Sequence, residues 1–147
     1  MGFDTITSTL SSTLSGLKSA VKRTAATHLL EDALRPVSGQ LEELNKRILS
    51  YLPCESASSK AIANHVFASG GKRIRPALFF MCSDIYDYAG DHLYPIAAVT
   101  EFVHTASLLH DDVVDNSSLR RNKPTANSIW GDESSVLVGD LIYSTAS

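Results

Sequence analysis

The sequence is poor in the features that would tie it to nucleic acid, to a membrane or to an oxidising compartment. Basic residues are outnumbered: 13 Lys and Arg face 16 Asp and Glu, for a formal net charge of −3. That balance excludes broad electrostatic attachment to nucleic acid or to anionic lipid, so any phosphate binding must be local. Only two cysteines occur, Cys54 and Cys82, far apart and in no CxxC or Cys/His metal spacing. They read as reduced thiols of a cytoplasmic protein. No apolar run reaches the length of a membrane-spanning helix, and the N-terminus lacks the basic start and apolar block of a secretory signal.

What is present begins with a bias. Residues 1–27 form a Ser/Thr-rich extension with Lys18, Lys22 and Arg23 and a single acid, Asp4. Two readings stay open for it: an organellar transit peptide, or an extension with a weak amphipathic helix through Leu14, Leu17 and Val21. The remainder, residues 28–147, has the hydrophobic content of a globular domain. From His28 to Leu52 apolar residues recur at three- and four-residue steps, predicting an amphipathic helix broken into two pieces by Pro36 and Gly39. Residues 52–60 read as a linker, with Ser58 or Ser59 capping a helix through Ile62, Val66 and Phe67 that stops at Gly70 and Gly71. Pro76 fits the first turn of a helix apolar nearly all round, hence internal, and closing at Gly90. Pro95 opens a long apolar helix ending in Asp111, Asp112 and Asp115. Residues 116–127 read as a loop, and Ser134 or Ser135 caps a last helix. No strand alternation competes, so the fold class is all-α, a helical bundle. The last helix runs to Ser147 without a closing Gly, Asn, Pro or basic turn, so the chain reads as truncated there.

The chemistry concentrates in two short stretches. Asp111 and Asp115 share a helix face, with Asp112 beside them. Three anions at a helix C-terminus repel one another and the dipole, a cost that a cation would offset. Carboxylate oxygens with positions left for water and phosphate suit Mg²⁺. A solvated acidic helix end is the plainer reading and, on these residues alone, both stand. Arg120 and Arg121 follow at a distance that lets a loop bring guanidinium groups back toward the acids. The second stretch is "GGKRIRP", Gly70 to Pro76, where adjacent glycines allow close backbone approach and Lys72, Arg73 and Arg75 precede a helix start. It is no Walker A loop, because position 66 is Val and Lys72 is followed by Arg73. His104 lies two turns before Asp111 on roughly the same face, either as a ligand or as a hydrogen-bonded core residue. Ala106 and Ser107 lie about one turn below Asp111; small side chains there either leave a path for an extended apolar tail or permit close helix packing.

Taken together, "GGKRIRP", "EFVHTASLLHDDVVDNSSLRRNKPTAN" and "VLVGD" resemble the trans-isoprenyl diphosphate synthases, most closely the bacterial long-chain, octaprenyl-type polyprenyl enzymes, over about Leu29 to Ser147. The resemblance implies the isoprenoid synthase fold, of which this would be the N-terminal part, and usually a homodimer. It implies that Asp111, Asp112 and Asp115 bind Mg²⁺ bridging an allylic diphosphate, with Arg120 on the same diphosphate. Lys72, Arg75, His104 and Arg121 would hold isopentenyl diphosphate, and small residues at 106 and 107 would accompany a long-chain product. The reaction implied is head-to-tail condensation.

The family also carries a second aspartate-rich motif and a downstream Lys, neither of which is in these 147 residues. The expectation is therefore a polyprenyl diphosphate synthase inactive as this portion alone. A short, non-catalytic, diphosphate-binding partner subunit is the alternative.

Overall fold

The computed structural model describes residues 27–68 and 70–147. The chain divides into two compact units, Met1–Pro36 and Val37–Ser147. The helix expected through Leu14, Leu17 and Val21 and the transit-peptide reading lie outside the described residues. Of the first unit, residues 27–34 are helical and constitute α1; Arg35 pairs with Asp32 one turn earlier.

The second unit is built from six helices: α2 (Ser38–Arg47), α3 (Ala57–Ala68), α4 (Ile74–Ile85), α5 (Leu93–Val114), α6 (Ala126–Trp130) and α7 (Asp132–Thr145). Between α5 and α6 stands a hairpin of two two-residue strands, β1 (Leu119–Arg120) and β2 (Lys123–Pro124). Among the described residues the fold is thus all-α apart from that hairpin. Helix α5 packs against α2, α4, α6 and α7. It can do so on several sides because Ala97, Ala98 and Ala106 are fully buried and present almost no side chain. Large groups fill the remaining space: Phe102 meets Phe67 edge-on at 5.7 Å between ring centres, and Phe80 meets Tyr94 at 5.6 Å. Gly139 brings α7 close to α5, since a Cβ there would lie 2.7 Å from Cδ2 of His110.

Local chemistry explains where the elements stop. Pro36 breaks the amphipathic run as expected, in a 3-10 turn over Arg35–Val37, whereas Gly39 lies within α2 and does not interrupt it. The cap of α3 is Ser56, whose Oγ accepts the Ser59 amide at 3.0 Å, rather than Ser58 or Ser59. Helix α4 ends at Ile85, five residues before Gly90, where the chain turns through Asp87 at φ 52°. Its outer face is not internal among the described residues, because Leu78, Ile85 and Tyr86 are exposed. Helix α5 closes with Asn116 in the left-handed conformation; the Ser117 amide donates to the Asp112 carbonyl at 2.9 Å and the Asn116 amide to that of Val113 at 3.1 Å. This double return satisfies carbonyls that every helix end leaves open. Helix α7 starts at Asp132, earlier than Ser134 or Ser135, because Gly131 at φ 85° turns the corner out of α6 and Asp132 and Glu133 complement the helix dipole.

Candidate functional site

One cavity of about 540 Å³ receives side chains from α3, the Gly70–Arg73 loop, α5 and the hairpin. Each wall is set by a local feature. The hairpin turn places Arg121 at φ 52° and Asn122 at φ 62°, the pair of positive values required by a two-residue turn between antiparallel strands. Asn accepts that conformation readily; Arg does not, at a cost of about 1 kcal/mol. Side chains hold the turn in place. Arg121 Nη1 donates to the Gly70 carbonyl, Lys123 Nζ to that of Ala68 at 3.3 Å, and His65 Nε2 to that of Pro124 at 2.9 Å. The hairpin is thereby latched to the end of α3. Gly71 makes room for the latch, because a Cβ there would lie 3.2 Å from Arg121 Nη1.

The cavity gathers Lys72, Arg73, Arg75, His104, Arg120 and Arg121 together with two carboxylates, Glu101 and Asp112. The carboxylates are each taken by one arginine. Arg73 Nη1 lies 2.8 Å from Glu101 Oε2, and Arg120 spans Asp112 with Nε at 2.9 and 3.1 Å from the two oxygens. Neither Lys72 nor Arg75 has a side-chain partner among the described residues, so two exposed cations face a cavity whose negative charge is already neutralised. Burial, and then the positive charge of Arg75, hold His104 below the ordinary imidazole range, Glu101 pulling the other way and Arg121 and Arg120 adding to the depression. At neutral pH the ring is therefore uncharged. Val66, Leu108 and Leu109 supply an apolar floor.

The structure brings Lys72, Arg75, His104, Arg120, Arg121 and Asp112 to this one cavity. Asp111 and Asp115 are exposed at the end of α5 and lie outside its lining, while Asp112 is 5% exposed and faces inward. Among the described residues no three acid, histidine or cysteine side chains stand close enough to hold one ion. The donor set still fits Mg²⁺ in part: Asp111 and Asp115 offer oxygens one turn apart, and this ion takes one or two carboxylates and completes its shell with water and phosphate. Asp112 does not fit as it stands, because Arg120 engages both its oxygens. Ala106 is fully buried in helix packing and Ser107 is exposed, its Oγ bonded to the Val103 carbonyl at 3.0 Å; neither lines the cavity.

Glu101 was not singled out by the sequence reading, although it is the sole charged residue between Pro95 and Leu109. That isolation is a usable signal, since an acid in an apolar helix demands a partner. His65, Lys123 and Asn127, whose Nδ2 donates to the Asp112 carbonyl at 3.3 Å, carry no comparable mark.

The family model described as Polyprenyl synthetase matches residues 56–147. The octaprenyl diphosphate synthase of Escherichia coli is 45% identical over 103 residues, covering 70% of this chain and 32% of its own length. The all-trans-nonaprenyl-diphosphate synthase of Rhodobacter capsulatus is 37% identical, with 79% and 36% covered. Among solved structures, a polyprenyl synthase from Caulobacter crescentus complexed with calcium and isoprenyl diphosphate superposes with a TM-score of 0.74 at 40% identity, over 80% of this chain and 36% of that one. A decaprenyl diphosphate synthase from Rhodobacter capsulatus gives 0.73 at 39% identity, over 79% and 36%. The chain spans about a third of the length of these relatives. With the family match extending from the cap of α3 to Ser147, the chain belongs to the polyprenyl synthetase family.

Proposed function

We propose that the complete protein condenses isopentenyl diphosphate head to tail with an allylic diphosphate and releases a long-chain trans prenyl diphosphate. The observation that carries this reading is the pair of unpartnered cations, Lys72 and Arg75, above an apolar floor in a cavity whose two carboxylates are already neutralised. Such a cavity fits an anionic head with a hydrocarbon body. The long-chain relatives support the product class.

In this reading Lys72, Arg75, His104 and Arg121 hold isopentenyl diphosphate. Asp111 and Asp115 would hold Mg²⁺, with Asp112 available to it once Arg120 turned to the allylic diphosphate. The ion would supply electrophilic pull on the departing diphosphate. The allylic carbon–oxygen bond breaks, the electrons of the isopentenyl double bond form the new carbon–carbon bond, and a proton leaves to restore a double bond. Arg120 meets charge as it develops on the leaving group, and the apolar floor excludes water from the electron-deficient carbon. Free thiols at Cys54 and Cys82 accord with work in the cytoplasm, and the active form is a homodimer. Among the described residues no helix is long and apolar enough to cross a membrane. The 147 residues alone, with one aspartate-rich segment, do not turn over.

The test is incubation of the complete protein with labelled isopentenyl diphosphate, an allylic primer and Mg²⁺. Chain-extended product lost in Asp111→Asn supports the reading, and absence of product from the wild type sinks it.

A further inference from the structure

Between Lys72 in the loop and Arg75 in the first turn of α4 stands a third basic residue, Arg73, which has no part in the reaction above. Its backbone adopts φ 46°, ψ 37°, a left-handed conformation unfavourable for a residue with a Cβ. Its guanidinium spreads over three helices. Nε donates to Asn45 Oδ1 of α2 at 3.1 Å, Nη2 to the Phe67 carbonyl of α3 at 3.2 Å, and Nη1 to Glu101 Oε2 of α5 at 2.8 Å. The Arg73 side chain is 13% exposed and that of Glu101 is 7% exposed. All three nitrogens are thus committed to protein, in contrast with the exposed Lys72 and Arg75 on either side.

Apart from the Arg121 latch at Gly70 and Gly71, this loop borders open space. A second cavity, of about 330 Å³, lies against Gly70, Gly71 and Arg73 and is also lined by Asn45 and Phe67. The same three residues also line the larger cavity. The Arg73 side chain is what ties the loop to the neighbouring helices. Glu101 also lies one turn before His104 on α5, so the Arg73–Glu101 ion pair links the segment carrying Lys72 and Arg75 to the helix that carries His104.

We propose that Arg73, held by Glu101, is a positioning residue: as the N-cap of α4 it fixes the loop end that carries Lys72 and the first helical turn that carries Arg75, from which the two reach the diphosphate of isopentenyl diphosphate, and it does not itself bind substrate. The proposal rests on the reading of the larger cavity as an isopentenyl diphosphate site.

Charge and geometry make opposite predictions here, which gives the test its force. Calorimetric titration of isopentenyl diphosphate into the full-length protein is compared for wild type, Lys72→Met, Glu101→Gln, Arg73→Gly and Arg73→Lys. Glu101→Gln keeps the shape of the side chain and adds net positive charge to the cavity. If Arg73 served as an anion ligand, binding would tighten; positioning predicts weakening by tenfold or more. Arg73→Gly relieves the backbone and deletes the fork, and Arg73→Lys keeps the charge without reaching all three acceptors; both should weaken binding to a similar degree. The binding stoichiometry per chain reports the folded fraction, so affinity is read on folded sites alone. Tighter binding in Glu101→Gln, or wild-type affinity in Arg73→Lys, overturns the positioning role while leaving the site intact. Unchanged binding in Lys72→Met instead overturns the cavity assignment, and the proposal with it.

Discussion

Arg120 grips both oxygens of Asp112: Nε lies 2.9 and 3.1 Å from them, and Nη2 lies 2.8 Å from Oδ1. The pair joins the hairpin to α5, with Asp112 almost wholly buried and Arg120 38% exposed. Removing the arginine leaves a buried carboxylate without its charged donors, and hydrogen bonds to charged groups contribute roughly 1.5–3 kcal/mol. Arg120→Ala should therefore lower stability by about 2 kcal/mol in urea unfolding. Asp112→Asn/Arg120→Ala together should cost less than the two single changes added, and strict additivity would show that the contact carries no coupling.

His104 titrates in the cavity among Arg75, Glu101, Arg121 and Arg120. Its folded-state pKa lies below the ordinary 6.5, so in the window beneath 6.5 the unfolded chain binds the proton more readily. Stability contributed by the neutral ring is complete above about 6.5 and declines as pH falls toward the folded value. A proton-resonance titration of His104 should show a midpoint below 6.5 that rises when inorganic diphosphate is added, because an anion favours the charged imidazole. A midpoint at or above 6.5 in the empty protein contradicts the electrostatics described.

The two small residues near the acidic end of α5 should behave differently from each other. Ala106 is fully buried, so Ala106→Phe overpacks the bundle and costs roughly 1–3 kcal/mol. Ser107 is exposed, so Ser107→Phe leaves stability within about 0.5 kcal/mol. Only in Ser107→Phe, then, does product length report on the path of the chain without a folding defect. Shortened product from the complete enzyme supports a path along that face; unchanged length removes Ser107 from it.

Gly139 tests the contact between α5 and α7. Alanine in a helix gains about 1 kcal/mol over glycine by propensity, yet the new Cβ meets the His110 ring, which also lies 3.4 Å from Asp140 Oδ1. Overpacking of that kind costs roughly 1–3 kcal/mol. Gly139→Ala should therefore lower the unfolding midpoint, and a raised midpoint would mean that His110 swings aside freely.

The course of α5 was legible in the sequence because apolar and small residues dominate from Pro95 to the aspartates, and the bundle follows from such helices. The interruption at Pro36 was equally readable, since a ring without an N–H disrupts the ladder. Gly39 misled because glycine weakens a helix without forbidding it. The early stop of α4 at Ile85 depends on a left-handed Asp87 that leaves no mark in the local pattern. At the site, residue types disclosed the charges but not their pairing. Which arginine takes Glu101 and which takes Asp112 is decided by helices distant in sequence, and so is the exposure of Asp111 and Asp115 outside the cavity.

Whether Lys72 and Arg75 bind the diphosphate of isopentenyl diphosphate is decided by calorimetric titration of that ligand into the wild type and into Lys72→Met/Arg75→Met. Saturable binding at one site per chain, weakened at least a hundredfold in the double variant, is the predicted result. Equal affinity in the two proteins, with both folded, would contradict the account.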